Sequence, residues 1–261
     1  MHPAVGTPPL PGPGANLHIL GRLESASNAT YLAEAVLDGQ PPRRCVWKPV
    51  AGERPLWDFP DGTLAGREVA AYALSAAAGF AVVPCTVLVD TGDGGGALQT
   101  WVDVDDDLDD LVDLVPTGEV PAGWFPITEG LSAGGEEVTL AHADDPRLRR
   151  LAVFDALANN SDRKGVHLLP SRGAVLGCDH GLCFHVEPKL RTILWGWAGT
   201  ALTPEEAELI ARAARVAPRV LADLVTDDEI AALTDRAGRL VAEGRLPYPG
   251  EDWPAIPWPP L

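Results

Sequence analysis

The stretch Asn159-Asn160-Ser161-Asp162-Arg163-Lys164-Gly165-Val166-His167 and the later Gly177-Cys178-Asp179-His180-Gly181 decide the reading of this chain. One Asp sits in a basic, turn-like loop and a second in an Asp-x-Gly turn. Between them lie the apolar Leu168-Leu169 and the segment Ala174-Val175-Leu176, an order that describes a β-hairpin carrying two carboxylates to one point. Phosphoryl transfer from ATP needs such a pair: one carboxylate orients the attacking hydroxyl, the other holds Mg²⁺ against the phosphates.

With 261 residues, 46% of them hydrophobic, the chain can bury a core as one domain or two lobes. A net charge of −17 argues against nucleic acid, whose phosphates would be repelled. It argues equally against docking on an anionic membrane surface. The four cysteines form no CxxC pair and read as free thiols in a reducing, cytoplasmic setting. Residues 1–15 carry no charged or apolar leader pattern and are rich in Pro and Gly, so a disordered segment is expected. Val69 to Val89 is uncharged and long enough to span a bilayer, but Gly79 and Pro84 interrupt it. It reads as a buried helix from about Leu64 to Ala78 followed by a strand near Thr86 to Asp90, without stable membrane insertion.

Working outward, His18–Glu24 and Thr30–Val36 alternate as strands around Ser25-Ala26-Ser27-Asn28. Arg44–Pro49 is a third strand ended by its proline, and Ala97–Val102 is a fifth after a Gly-rich turn. Beyond Val102 the pattern turns mostly helical around the small hairpin. Asp145-Pro146 opens one helix, and the capping boxes Thr203–Glu206 and Thr226–Glu229 open two more, the last stopping at Gly244. The expected organisation is an α+β fold with an N-terminal lobe over 16–103, a C-terminal lobe over 104–246 and a Pro/Trp-rich tail over 247–261.

These motifs together resemble the protein-kinase-like superfamily, and most closely the actinobacterial proteins that look like phosphatidylinositol 3- and 4-kinases. The resemblance implies a two-lobed kinase-like fold, an N-terminal antiparallel sheet with one main helix over a mostly helical C-terminal lobe. It implies ATP and Mg²⁺ or Mn²⁺ in the cleft. Lys48 matches the lysine that contacts the phosphates, and Glu68 its ion-pair partner. Ser25, Ser27 and Asn28 stand where the family has its phosphate-covering loop, and Gln99, Trp101 and Val102 where the hinge meets adenine. Asp162-Arg163-Lys164 resembles the Asp-Arg-His catalytic triplet, with Arg163 or Lys164 offsetting phosphoryl charge. Asp179-His180-Gly181 resembles the Asp-Phe-Gly metal turn.

The chain departs from that pattern in three places. His167 replaces the usual Asn of the catalytic loop, the phosphate loop lacks glycine, and His180 replaces Phe. His167 is either a metal ligand, titrating near an ordinary pKa of about 6.5, or a satisfied structural histidine at a strand start. Glu68 stands beside Arg67, so a solvated helix face is its bland alternative. Asp103, Asp105, Asp106, Asp107, Asp109, Asp110 and Asp113 lack the Gly and Glu of an EF-hand and read as a solvated segment. Trp195 and Trp197 are either core anchors or a substrate platform. The acceptor hydroxyl could belong to a lipid, a protein or a small molecule. The alternative function is a nucleotide-binding pseudokinase serving as a regulatory module.

Overall fold

Five strands, β1 (Asn16–Arg22), β2 (Tyr31–Val36), β3 (Arg43–Pro49), β4 (Thr86–Asp90) and β5 (Gly95–Thr100), form one antiparallel sheet in the order β1-β2-β3-β5-β4. The computed structural model describes residues 16–23, 28–36, 41–60, 62–90, 94–104, 111–250 and 254–261. The segment 1–15, Ser25, Ser27 and the aspartates 105, 106, 107, 109 and 110 lie outside the described residues. Strand alternation sorts β3: Cys45 and Trp47 are buried with Ala33, Ala35, Val89 and Leu98 in a small apolar cluster. Val46 and Lys48 point the other way. The expected strands are present, with the first and fifth each beginning about two residues earlier than the sequence suggested.

Helix α1 (Leu64–Ala78) follows β3. Thr63 accepts the Gly66 N–H at 2.9 Å, and the Glu53 carboxylate accepts those of Leu64 and Ala65 at 3.0 and 2.8 Å, which satisfies the orphan donors of the first turn. Gly79 ends it at φ 88, a left-handed conformation that glycine adopts without a Cβ clash. The uncharged run is explained by position: α1 lies inside the molecule, with Ala70, Ala71, Leu74 and Ala78 in the main core. Among the described residues no helix is long and apolar enough to cross a membrane.

The C-terminal part differs from the expectation in one respect. Between Val102 and the next helix stands a three-stranded antiparallel sheet, β6 (Val112–Pro116), β7 (Trp124–Leu131) and β8 (Glu137–Ala143), in the order β6-β8-β7. This sheet is an addition to the mostly helical C-terminal part, with its small hairpin, that the sequence indicates. Pro126 had masked β7, yet it lies on an edge strand beside a register shift, where a missing N–H breaks no ladder. Three helices follow the expected boundaries: α2 (Pro146–Ala158), α3 (Pro204–Val220) and α4 (Asp227–Glu243). Both capping boxes are formed, and Gly244 caps α4 at φ 63. The hairpin of β9 (Leu168–Ser171) and β10 (Ala174–Gly177) lies against α2. Leu148, Leu151, Phe154 and Leu157 of α2 are fully buried, each contributing roughly 2 kcal/mol from area removed from water. That burial fixes the floor from which the loop after α2 projects.

Candidate active site

The loop leaving α2 is held from several directions. Asn159 caps the helix at φ 56, and its side chain bonds the carbonyls of His185 and Glu187 and the Lys189 N–H. Asn160 donates to Asp155 Oδ1 at 2.9 Å and accepts the Asp162 N–H at 3.0 Å. Backbone bonds tie Arg163 N–H to Arg191 O at 3.0 Å and Arg191 N–H to Asn160 O at 2.9 Å. The backbone on both sides of Asp162 is thus tied down by hydrogen bonds.

Arg163 does not face the cleft. Its guanidinium is fully buried, paired with both oxygens of Asp155 at 2.8 and 2.9 Å, and donates to Cys178 O at 2.8 Å. It also donates to His180 Nε2 at 2.8 Å. The expectation that Arg163 offsets charge on a transferred phosphoryl is therefore corrected: it clamps the loop to the hairpin. The same bond explains His180, whose buried ring packs edge-on against Phe154 and uses a nitrogen that phenylalanine lacks.

Lys48, Glu68 and Asp179 meet at one point. Lys48 Nζ pairs with Glu68 Oε1 and lies 3.0 Å from Asp179 Oδ1. Glu68 Oε2 accepts the His180 N–H at 3.1 Å, so α1 is joined to both β3 and the turn at Asp179–Gly181. Neither Glu68 nor Arg67 is on a solvated face: Arg67 is buried, paired with Glu229 of α4 and bonded to Cys183 O at 3.1 Å. Asp179 adopts φ 58, a left-handed conformation that aspartate tolerates better than most side chains.

His167 completes the group. Its Nδ1 lies 2.9 Å from Asp162 O and its Nε2 3.3 Å from Asp179 Oδ2. A carbonyl only accepts, so the shorter contact assigns the proton to Nδ1, and the Lys164 N–H 3.4 Å from the same nitrogen is then not a hydrogen bond to it. Burial lowers the imidazole pKa to about 4, against a smaller upward pull from Asp179. The neutral ring then turns a bare Nε2 toward a carboxylate oxygen, an arrangement that a cation between them would relieve. Ligand atoms of Asp162, His167 and Asp179 all lie within 4.8 Å of one another. This mixed N/O donor set, with the other ring nitrogen bound to a backbone carbonyl, fits a divalent metal.

The electrostatics are consistent with charge handling. Lys48 holds the Asp179 carboxyl well below the usual range, opposed by burial. Burial would lower Lys48, but Asp179 and Glu68 together leave it above its ordinary value. Asp162 is raised, by burial first and against the pull of Lys164, whose Nζ lies 3.4 Å from its Oδ2.

The remaining expected residues are less open. The Gln99 side chain is buried and donates to Thr86 Oγ1 at 3.0 Å, bracing β4 against β5, and its pairing with Val46 puts it on the Lys48 face of the sheet. Trp101 bonds Asp103 Oδ1 through its indole at 3.2 Å, and Val102 follows it, both just beyond β5, which pairs with the Lys48 strand. Asn28 Oδ1 accepts the Arg54 N–H at 3.0 Å, pinning the loop before β2 to the segment after β3. The sequence reading missed Asp155 and Asn160 as the base of the loop. The signal was a charged Asp155 on the apolar rows of α2, near an arginine able to pair with it.

A protein of Mycobacterium tuberculosis, Rv2133c, is 49% identical over 256 residues, covering 93% of this chain and 91% of its own. The chain belongs to the Rv2133c family. No protein-family model matches the sequence. Among solved structures, the Golgi casein kinase is 13% identical with a TM-score of 0.49, over 90% of this chain and 72% of that one. A second structure of that kinase, with Mn and ADP bound, gives the same score and identity. Hydra Fam20 with sugar is 14% identical with a TM-score of 0.44, over 87% of this chain and 85% of that one. None of these is named as a phosphatidylinositol kinase.

Proposed function

We propose that this chain is an ATP-dependent phosphotransferase using a divalent metal, Mg²⁺ or Mn²⁺, and acting on a hydroxyl acceptor. The observation that carries the reading is the convergence of the Lys48–Glu68 pair with Asp179, beside Asp162 and a neutral His167. Lys48 would neutralise phosphate charge, and Asp179 and His167 would hold the metal. A metal there supplies positive charge against the phosphates. Asp162 would orient the acceptor hydroxyl and take its proton, a role that its raised pKa favours. Lys164, whose Nζ lies 3.4 Å from Asp162 Oδ2, would offset charge on the transferred group. Positioning and fixed charge would provide most of the rate enhancement.

The adenine contacts assigned to Trp101 and Val102, a role for Ser25 and Ser27 on the phosphates, and the likeness to phosphatidylinositol 3- and 4-kinases belong to the same proposal. So does a cytoplasmic location, which the four free cysteines support. A lipid, protein or small-molecule acceptor each remains compatible with it.

Thermal shift with ATP and Mn²⁺ tests nucleotide binding, because a ligand of the folded state raises Tm by mass action. The proposal expects a clear rise in the native chain and a smaller one in Lys48→Ala. No rise at millimolar nucleotide would remove the nucleotide from the reading. Binding without any phosphate transfer would favour the pseudokinase instead.

A further inference from the structure

Residues 254–261 run across the far side of the catalytic loop. Pro260 O accepts the Gly165 N–H at 2.8 Å. Ala255 O accepts both the Thr192 N–H at 3.0 Å and the Trp195 indole N–H at 2.8 Å. A Cβ on Gly165 would run into Leu261 Cδ2, so the two chains are in close contact there. Pro257 and Pro260 are buried, and Ile256 and Leu261 pack on the main core.

Half of this segment is proline: Pro254, Pro257, Pro259 and Pro260. Proline has no N–H to leave unsatisfied, and its fixed φ lowers the entropy lost on ordering. Such a stretch offers mainly carbonyl acceptors, and here two of them meet three donors: the Gly165 and Thr192 N–H groups and the Trp195 indole. The Arg191–Ile193 backbone lies between it and the loop: Ile193 N–H bonds Arg163 O at 3.2 Å, while Thr192 N–H turns to Ala255.

Resting on the phosphotransferase reading for its functional meaning, we propose that residues 254–261 are a positioning strap for the catalytic loop. Gly165 is anchored by the strap, and Arg163 by residues 191–193, so the backbone of Lys164 is fixed from both sides. Lys164 sets its own Nζ against Asp162, and its carbonyl accepts the His167 N–H at 3.2 Å. The strap therefore acts on Lys164 and His167 without touching the reacting atoms.

The test compares the full chain with one ending at Gly250, by amide hydrogen exchange over 160–167, by Mn²⁺ titration and by phosphate transfer. Removal should speed exchange at Gly165 and His167. It should weaken Mn²⁺ by at least about tenfold, the scale for losing a group that orients a ligand, and lower kcat more than it raises the KM for ATP. The free octapeptide Pro-Ala-Ile-Pro-Trp-Pro-Pro-Leu added in trans should restore all three, and a scrambled octapeptide none. Unchanged exchange and Mn²⁺ affinity would overturn the proposal, as would faster transfer on removal, which would mark an inhibitory cover. If the shortened chain does not fold, Gly165→Ala in the full chain should perturb the same readouts and Gly165→Ala with Leu261→Ala should recover them. Failure to recover would count against the strap. Exchange and Mn²⁺ binding remain readable if the full chain transfers no phosphate, so the two readings fail separately.

Discussion

His167 Nδ1 lies 2.9 Å from the carbonyl oxygen of Asp162, and that one contact determines which face of the imidazole meets Asp179. The backbone that carries the candidate base also fixes the tautomer of the candidate metal ligand. Candidate base and candidate ligand are thus joined through one hydrogen bond, and Nε2 is left bare 3.3 Å from Asp179 Oδ2.

Loss of that nitrogen should show in metal affinity before it shows in fold. His167→Ala should weaken Mn²⁺ binding by at least about tenfold, since even outer partners of a ligand cost this much. His167→Asn should move preference from Mn²⁺ toward Mg²⁺, which favours hard oxygen donors. Titration of each variant with both metals, followed by thermal shift, measures this. An unchanged order of metals in His167→Asn would return the residue to a structural role.

Arg163 should behave as a structural residue. Breaking a fully buried ion pair leaves an uncompensated charge and costs about 3–5 kcal/mol, so Arg163→Met should show a loss of that order in urea unfolding. Arg163→Lys should rescue little, because lysine cannot span both Asp155 oxygens, Cys178 O and His180 together. A stable Arg163→Lys protein with impaired transfer alone would restore the charge-offsetting role.

The contrast between Arg163 and Asp162 shows what the sequence could reveal. The Asp-loop-hairpin-Asp order was legible because hairpin spacing alone brings Asp162 and Asp179 together. The helix starts were legible because Asp145, Thr203 and Thr226 cap their helices with local bonds. Direction of a side chain was not. Arg163 sits beside Asp162 in sequence, yet it turns into the core because Asp155, a turn earlier on α2, waits there. Glu68 and Arg67 likewise look solvated until β3 and α4 supply Lys48 and Glu229. The three-stranded sheet was hidden because two of its strands contain proline, at Pro116 and Pro126, and its pairing is tertiary.

Stability should fall on mild acidification. His142 donates Nδ1–H to Ala143 O at 2.9 Å and accepts the Gly196 N–H on Nε2 at 3.0 Å, so both nitrogens are used in the neutral form. Burial lowers its pKa, against Ala143 O and Asp144, which raise it. The unfolded chain takes up the proton near pH 6.5 and the folded chain resists it. The stabilising contribution is therefore full above about pH 6.5 and shrinks as pH falls toward the folded pKa. His167 and His180, also lowered by burial, act in the same direction, whereas the raised Glu68 and Asp162 act oppositely at lower pH. Tm should drop between pH 7 and pH 5, less steeply in His142→Gln. Equal slopes in the two proteins would contradict this.

The central claim is that Asp162 faces a reacting hydroxyl beside a bound nucleotide and metal. Purified protein incubated with γ-labelled ATP and Mn²⁺ should release or transfer the label, with hydrolysis, self-phosphorylation and acceptor labelling scored together. Asp162→Asn, matched to wild type for its nucleotide-induced thermal shift, should do so at least about 10²-fold more slowly, the scale for losing a positioned acid–base group. Equal rates in wild type and Asp162→Asn would contradict the account.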